Sequence, residues 1–323
     1  MRAVFIKRYG GTEVLEYGER PRPVLKSGQV LVEVHAASVN PRDWLLREGR
    51  YVFRWLTPRF PLILGSDISG VVVEAGSSTS PFRLGDAVFG MQTTLGGMGA
   101  YAEYIAIAGG ALARKPSTIS HEEAAAVPCA ALTAYRALTQ VGHVSAGTQV
   151  TIIGASGGMG SYATQLARAR GATVVAVTSG RNASLVESLG ADRVIDYTTV
   201  PFATTVRSQD LVFDTVGRES LRTCSPVLGP RGRYVTTIPG LETAWESLTS
   251  NLWRALRAGN ARSAHVVLVR ADGQALERIA SLMSEGKVRS IIDSVYPLSE
   301  ARAAHEKSRS RRTRGKLILQ VRT

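Results

Sequence analysis

Residues 150–160, VTIIGASGGMG, constrain this chain more than any other stretch. Val150 to Ile153 form a β-branched run that favours a strand. Four glycines within seven positions, Gly154, Gly157, Gly158 and Gly160, then stop it, and the helix-like segment SYATQLARARG follows at once. Strand, tight turn and helix start together present backbone N–H groups and the positive end of a helix to a pyrophosphate. From Ala155 the spacing reads A-x-G-x-x-G, with alanine in the usual first glycine position. Such a match is weak in isolation; the flanking strand and helix are what make it informative.

The pattern around the loop repeats. Strands are expected at 150–153, 173–178, 193–196, 210–214 and 232–237, with helices at 158–170, 182–189 and 218–228. Regular strand–helix alternation specifies a doubly wound parallel sheet of Rossmann type. HVVLVR (265–270) reads as a further strand, followed by a helix at 273–286, the strand-like SIIDSVY, a helix at 299–308 and a last strand, KLILQV. Residues 1–122 differ in character. Short β-rich runs (AVFIK, VLVEVHAASV, SGVVVEAG, DAVFG, YAEYIAI) alternate with Pro, Gly and Ser, and Lys26–Gly28 and Arg83–Asp86 look like turns entering strands. One short helix is expected within 40–50, with Asn40 or Asp43 at its start, followed by an aromatic loop at 51–60. Ser120 and Glu123 form a capping-box pattern that opens an alanine-rich helix.

At 323 residues two domains are expected. No apolar run approaches the ~20 residues of a membrane span. Two cysteines, Cys129 and Cys224, exclude a disulfide framework and fit a reducing, cytoplasmic setting. The net charge of +13 favours anionic partners, although a generally basic surface needs none. Part of the excess lies in KSRSRRTRGK (307–316), which lacks the interleaved aromatics of a single-strand nucleic-acid platform.

A dinucleotide fold that takes NAD usually places an acid about 20 residues past the glycines, on the ribose 2′-hydroxyl. Here strand 173–178 ends in Ser179-Gly-Arg181-Asn182, without Asp or Glu. A guanidinium with a neighbouring hydroxyl suits a 2′-phosphate, and so NADPH. The alternative reading of Arg181 is a solvated turn arginine. Asp214-Thr-Val216-Gly217 and Thr236-Thr-Ile238 end two further strands, and ligands bind outside such carboxyl ends.

GSDISGVVVEAG (65–76), FRLGDAVFG (82–90), GAYAEYIAI (99–107), AAAVPCAALTAYRAL (124–138), GASGGMG (154–160), SLGADRVIDY (188–197) and GKLILQV (315–321) together resemble the medium-chain dehydrogenase/reductase superfamily over nearly the whole chain. The branch resembled is the zinc-free quinone oxidoreductase group, which includes zeta-crystallin-like and reticulon-interacting-protein-like reductases. The resemblance implies a GroES-like catalytic domain at 1–122, completed by about 290–323, and a Rossmann domain at 123–289. It implies Asn40 and Thr133 near the nicotinamide, and Ser156, Gly157, Gly158, Met159 and Gly160 around the pyrophosphate. Ser179, Arg181, Asn182 and Tyr197 would surround the adenosine 2′-phosphate; Tyr197 also reads as a half-buried strand-end tyrosine. Val216, Gly217 and Ile238 complete the cofactor set. Zinc members carry cysteine where this chain has Asn40 and histidine where it has Ser66. Cys129 falls at a third ligand position, but one thiolate cannot hold a three-ligand catalytic zinc. MQTTLGGMGAY lacks the cysteines of a structural zinc lobe. No metal is therefore expected.

Hydride delivery without a Lewis acid needs an acceptor that is already electrophilic. That points to a quinone or another α,β-unsaturated carbonyl. The alternatives are an enoyl-thioester (acyl carrier protein or coenzyme A) reductase, and a non-catalytic NADPH-binding protein contacting RNA through its basic C-terminal region. Tyr51, eleven residues after Asn40, is the candidate proton donor; packing within loop 51–60 would account for it as well. The resemblance further implies a homodimer, with HVVLVR extending the sheet across the two-fold axis.

Overall fold

The computed structural model describes residues 1–57, 59–76, 81–92, 98–238 and 240–322. Pro58 of the aromatic loop, residues 93–97 of the cysteine-free stretch and Pro239 after Ile238 lie outside the described residues. The chain divides into two compact units, Met1–Leu132 with Arg270–Thr323, and Thr133–Val269.

The first unit opens with β1 (Arg2–Ile6) and β2 (Glu16–Glu19), which pair antiparallel. The eleven-residue β3 (Gln29–Val39) then runs into α1 (Pro41–Arg47), where the Asp43 carboxylate accepts the Asn40 backbone N–H at 2.8 Å. β4 (Leu62–Ile63) pairs with β1. β5 (Asp67–Ala75), β6 (Ala87–Met91), β7 (Tyr104–Ala108) and β8 (Leu112–Arg114) complete the N-terminal strands. β3 is the spine: it pairs with both β5 and β7, and its Val30, Val32 and Val34 enter the core beside Ile68, Val72, Ile105 and Ile107. α2 (His121–Ala125) starts on the expected capping box, with Ser120 Oγ accepting the Glu123 N–H at 3.2 Å. α3 (Pro128–Arg136) carries the division between the units.

In the second unit, β9 (Gln149–Ile153) leads through the glycine loop into α4 (Gly158–Ala169). Then come β10 (Thr173–Thr178), α5 (Ala183–Ser188), β11 (Arg193–Asp196), α6 (Phe202–Thr205), β12 (Gln209–Asp214), α7 (Leu221–Cys224), β13 (Leu228–Thr236), α8 (Leu241–Leu256) and β14 (Ser263–Val266). The sheet is parallel, in the order β11-β10-β9-β12-β13-β14. That is the doubly wound order, with its reversal point beside β9. β9 and β10 are buried along almost their whole length, as a parallel sheet covered on both faces requires.

The chain then returns to the first unit. α9 (Gly273–Ser284) packs on β8; β15 (Ile292–Pro297), α10 (Ala301–Arg309) and β16 (Lys316–Gln320) follow, with β16 antiparallel to β3.

Four expectations change. The division falls after Leu132 and Val269, not at 122/123 and 289/290, because α2 packs on β3 and β5 while α9 packs on β8. The helix expected at 218–228 shrinks to α7, since the Asp214 carboxylate ties down the preceding backbone and β13 begins at Leu228. The strand expected at 265–270 lies at 263–266. α8 was not anticipated. The basic run 307–316 is in part internally paired: Lys307 with Asp293, Arg309 with Glu48, and Lys316 inside the fold.

Candidate active site

The glycine loop is shaped by backbone contact. A Cβ on Gly160 would lie 2.2 Å from the Gly154 carbonyl oxygen and 2.7 Å from Ala155 Cα, so α4 can start this close to β9 only with glycine there. Ser156 Oγ accepts from Thr178 Oγ1 at 2.8 Å and from Asn182 Nδ2 at 3.0 Å. Its own hydroxyl proton remains to be offered to an anion. The Asn182 amide also reaches Ser179 Oγ at 3.2 Å, while its Oδ1 is buried without a hydrogen-bond partner. A buried orphan acceptor is costly unless something supplies a donor, and a ribose hydroxyl is such a donor. Arg181 and Tyr197 are exposed beside this cluster, at the ends of β10 and β11.

The second wall of the loop is held by one carboxylate. Asp214, fully buried at the end of β12, accepts the N–H groups of Val216, Gly217, Arg218 and Glu219 at 2.8–3.0 Å. The resulting turn puts Gly217 at φ +75°, where a Cβ would meet Ile238 Cγ1 at 2.4 Å. A Cβ on Gly154 would meet Val216 Cγ2 at 2.6 Å. The structure therefore brings Ser156, Gly157, Gly158, Met159, Gly160, Val216, Gly217 and Ile238 together at the carboxyl ends of β9, β12 and β13, and Ser179, Arg181, Asn182 and Tyr197 at those of β10 and β11. Thr133 is buried on α3.

One acid near the expected adenosine position escaped sequence reasoning because it comes from the third strand. The Asp196 carboxylate lies beside Gly180 but is engaged by the Thr198 backbone and hydroxyl at 2.9 and 2.6 Å. These hydrogen bonds hold its pKa below the usual carboxylate value.

In the first unit, Asn40 sits in a buried ionic network. Its Nδ2 donates to Asp67 Oδ2 at 3.0 Å, and its Oδ1 accepts from Lys316 Nζ at 2.6 Å. Asp67 also accepts from Ser38 (2.9 Å), Ser66 (3.1 Å) and the Cys129 N–H (3.3 Å). Lys316 Nζ lies 3.9 Å from Asp67, with both side chains buried. A second chain of contacts starts at Asp43: Tyr101 OH donates to its Oδ2 at 2.9 Å, His305 Nε2 is 3.3 Å from that hydroxyl, and Arg47 Nη1 is 3.1 Å from His305 Nδ1. Burial raises Asp43 to about 6 and lowers His305 to about 3. Tyr51 is half-buried against this core; its ring lies 5.8 Å from that of Phe53 and 5.8 Å from the Arg42 guanidinium. Burial raises its phenol pKa, so it keeps its proton at neutral pH. Lys316, Tyr101 and His305 carried no local sequence signal, because their partners are far away in the chain.

Comparison with known proteins agrees with this geometry. Residues 26–117 match the alcohol dehydrogenase GroES-like domain family and residues 189–319 the zinc-binding dehydrogenase family. The chloroplast envelope quinone oxidoreductase homolog of Arabidopsis thaliana is 34% identical, over 99% of this chain and 98% of that protein. The chain is a medium-chain dehydrogenase/reductase. Human mitochondrial NAD(P)H oxidoreductase RTN4IP1 is 32% identical over 99% of this chain and 89% of its own length. The quinone oxidoreductase of Coxiella burnetii superposes with a TM-score of 0.89 at 32% identity, covering 100% of this chain and 99% of that one. This medium-chain dehydrogenase/reductase is accordingly an NAD(P)H-dependent oxidoreductase of the quinone oxidoreductase type, and none of its helices among the described residues is long and apolar enough to cross a membrane.

The zinc-binding description of one matched family implies a metal, and the residues here do not fit one. Both ends of the Asn40 carboxamide are already used, by Asp67 and Lys316. Burial and the Asp67 carboxylate push the Cys129 thiol up to about 12, and one cysteine does not make the three-ligand set of a catalytic zinc. The positive charge beside Asp67 is the Lys316 ammonium, and among the described residues no group of three or more His, Cys, Asp or Glu is arranged to hold a metal ion.

Proposed function

We propose that this protein is a zinc-independent, NADPH-dependent reductase that transfers hydride to a quinone or another α,β-unsaturated carbonyl. The observation that carries this reading is the Asn40–Asp67–Lys316 network. It supplies a fixed ammonium and no metal-ligand set, so an acceptor must be electrophilic before it binds. NADPH, when bound, supplies the hydride. The backbone N–H groups of residues 156–160 and the Ser156 hydroxyl hold its pyrophosphate, with Val216, Gly217 and Ile238 closing the loop. Asn40 and Thr133 orient the nicotinamide, Ser179, Asn182 and Tyr197 line the adenosine ribose, and Arg181 pairs with the 2′-phosphate. The NADPH in the crystal structure of Escherichia coli quinone oxidoreductase, 25% identical with a TM-score of 0.84, supports that choice of cofactor. Tyr51 holds a proton for the reduced product. Neither Cys129 nor Cys224 is in a disulfide, in keeping with a reducing, cytoplasmic compartment.

The test is NADPH and NADH oxidation measured with 1,2- and 1,4-quinones, small enones and a crotonyl thioester. Turnover of quinones or enones with NADPH is the expected result; turnover of the thioester alone would replace the proposal with an enoyl-thioester reductase. Arg181→Ala should weaken NADPH binding by roughly 10-fold, the loss of one hydrogen bond to a charged group, and leave NADH unchanged. Tyr51→Phe should lower turnover by roughly 100-fold with NADPH affinity intact; unchanged rates at every pH would remove Tyr51 as the donor.

A further inference from the structure

The loop between α1 and β4 carries a cluster of exposed apolar side chains, and its two ends meet on one ring. Phe60 packs edge-on against Tyr9, with ring centroids 4.9 Å apart. Gly49 abuts the same ring: a Cβ there would lie 3.1 Å from Tyr9 Cγ. The loop therefore leaves and rejoins the fold at nearly one place. Its turn is held by its own backbone, with the Arg54 N–H donating to the Tyr51 carbonyl at 3.1 Å and the Leu56 N–H to that of Phe53 at 3.0 Å. On it Val52 is 55% exposed, Trp55 74% and Leu56 38%. Between Gly49 and Leu62 stand Arg50, Arg54 and Arg59, and no acid.

The basic run near the C-terminus continues this surface. Glu48 Oε1 takes the Arg47 and Arg309 guanidiniums at 2.9 and 3.1 Å, and its Oε2 takes that of Arg50 at 3.3 Å. The end of α10 thus lies at the root of the loop, and Arg311 and Arg312, both exposed, follow it. Three guanidiniums share the Glu48 carboxylate, which is only 10% exposed. Glu13 and Glu306, exposed acids of adjoining segments, are engaged by the Gly11 N–H and the Thr12 hydroxyl.

We propose that this surface docks on an anionic lipid bilayer, with Val52, Trp55 and Leu56 entering the headgroup layer and the six arginines 50, 54, 59, 309, 311 and 312 meeting lipid phosphates. Tryptophan favours that depth, and arginine stems lie along apolar surface while their heads stay among the phosphates. Charge complementarity selects the occupant, since the whole chain carries +13 and this side of it concentrates guanidiniums. A single-stranded nucleic acid would need several open ring faces for stacking. Here Phe60 packs on Tyr9, and Tyr51 and Phe53 meet edge to face at 5.8 Å, which leaves Trp55 as the most exposed ring of the loop. The inference stands whichever hydride acceptor is correct.

Flotation of the full chain with lipid vesicles tests it. The chain should float with equimolar phosphatidylcholine–phosphatidylglycerol vesicles, stay behind with phosphatidylcholine alone, and be released as salt rises. Arg54→Gln with Arg59→Gln should lower the partition coefficient roughly 30-fold, about fivefold for each arginine. Trp55→Ala should lower it roughly 10-fold and remove the blue shift in tryptophan emission that vesicles induce. These side chains are exposed, so thermal midpoints at the wild-type value will separate lost docking from lost folding. Trp245→Ala with Leu248→Glu, on the exposed apolar side of α8, should leave flotation unchanged. Equal flotation with phosphatidylcholine alone, or flotation that survives the loop variants, would overturn the proposal. So would absence of flotation, and tight binding of a single-stranded oligonucleotide in that case would assign the arginines to nucleic acid.

Discussion

The polar pocket of the first unit contains Asp43, Arg47, Asp67, His305 and Lys316, all ionisable and all buried. Between residues 154 and 160 the nucleotide loop of the second unit contains no ionisable side chain at all. One site is made of charges that compensate one another across long sequence separations. The other is made of backbone N–H groups, glycines and hydroxyls within one strand–turn–helix unit. The first should fail by electrostatics when a partner is removed, and the second by sterics when an atom is added.

Lys316→Met breaks the comparison hardest. It leaves Asp67 buried without its cation, and removing one member of a buried pair costs about 3–5 kcal/mol. Chemical denaturation should register that loss in the first unit, with NADPH binding by the second unit retained. Gly160→Ala is the converse. The added Cβ strikes backbone at 2.2 Å, so NADPH affinity should drop by roughly 100-fold with little change in the stability of the first unit. Fluorescence titration alongside denaturation separates the two outcomes; equal effects on both units would erase the distinction drawn here.

Acid gives a smaller, sharper test. His305 is lowered to about 3 by burial, with the Arg47 charge adding to it, so it stays neutral in the fold while an unfolded histidine protonates below about 6.5. Its contribution is complete above the unfolded value and disappears as pH falls through the folded one. Asp43 has the opposite sign: raised to about 6 by burial, it favours the fold most at acid pH and loses that contribution as pH rises through 6. His305→Gln should therefore flatten the acid side of the stability profile between about pH 6 and 4, and Asp43→Asn should remove an opposing fall in stability as pH rises from about 4 to 6. Thermal midpoints across that range would show both slopes.

The same contrast explains what could be read in the sequence. The strands of the parallel sheet were legible because TVVAVT, RVID and LVFD are β-branched or apolar runs bounded by turns, and β10 and β11 are each packed by the helix that precedes them, α4 and α5. The loop residues were legible for the same reason. Lys316 was readable as the start of a last strand, but its buried ammonium depends on Asn40, 276 positions away. Tyr101 and His305 meet across a separation of 204. α7 was overestimated because an Asp at a strand end gives no sign that it will bind four of the next five backbone N–H groups. α8 had a periodic signal in Leu241, Trp245, Leu248, Leu252 and Leu256 that was there to be counted; its outward-facing stripe runs against the expectation that apolar periodicity points to a protein's own core.

The position of Lys316 also bears on synthesis. The cation that neutralises Asp67 is made only after residues 133–269, so a ribosome finishes the whole nucleotide-binding unit before the pocket around Asn40 and Asp67 can balance its charge. On a growing chain the parallel sheet can close early, while β3 waits for β16 as its neighbour. A nascent chain stalled before residue 316 would have the whole of residues 133–269 and still lack the cation of the pocket around Asn40 and Asp67.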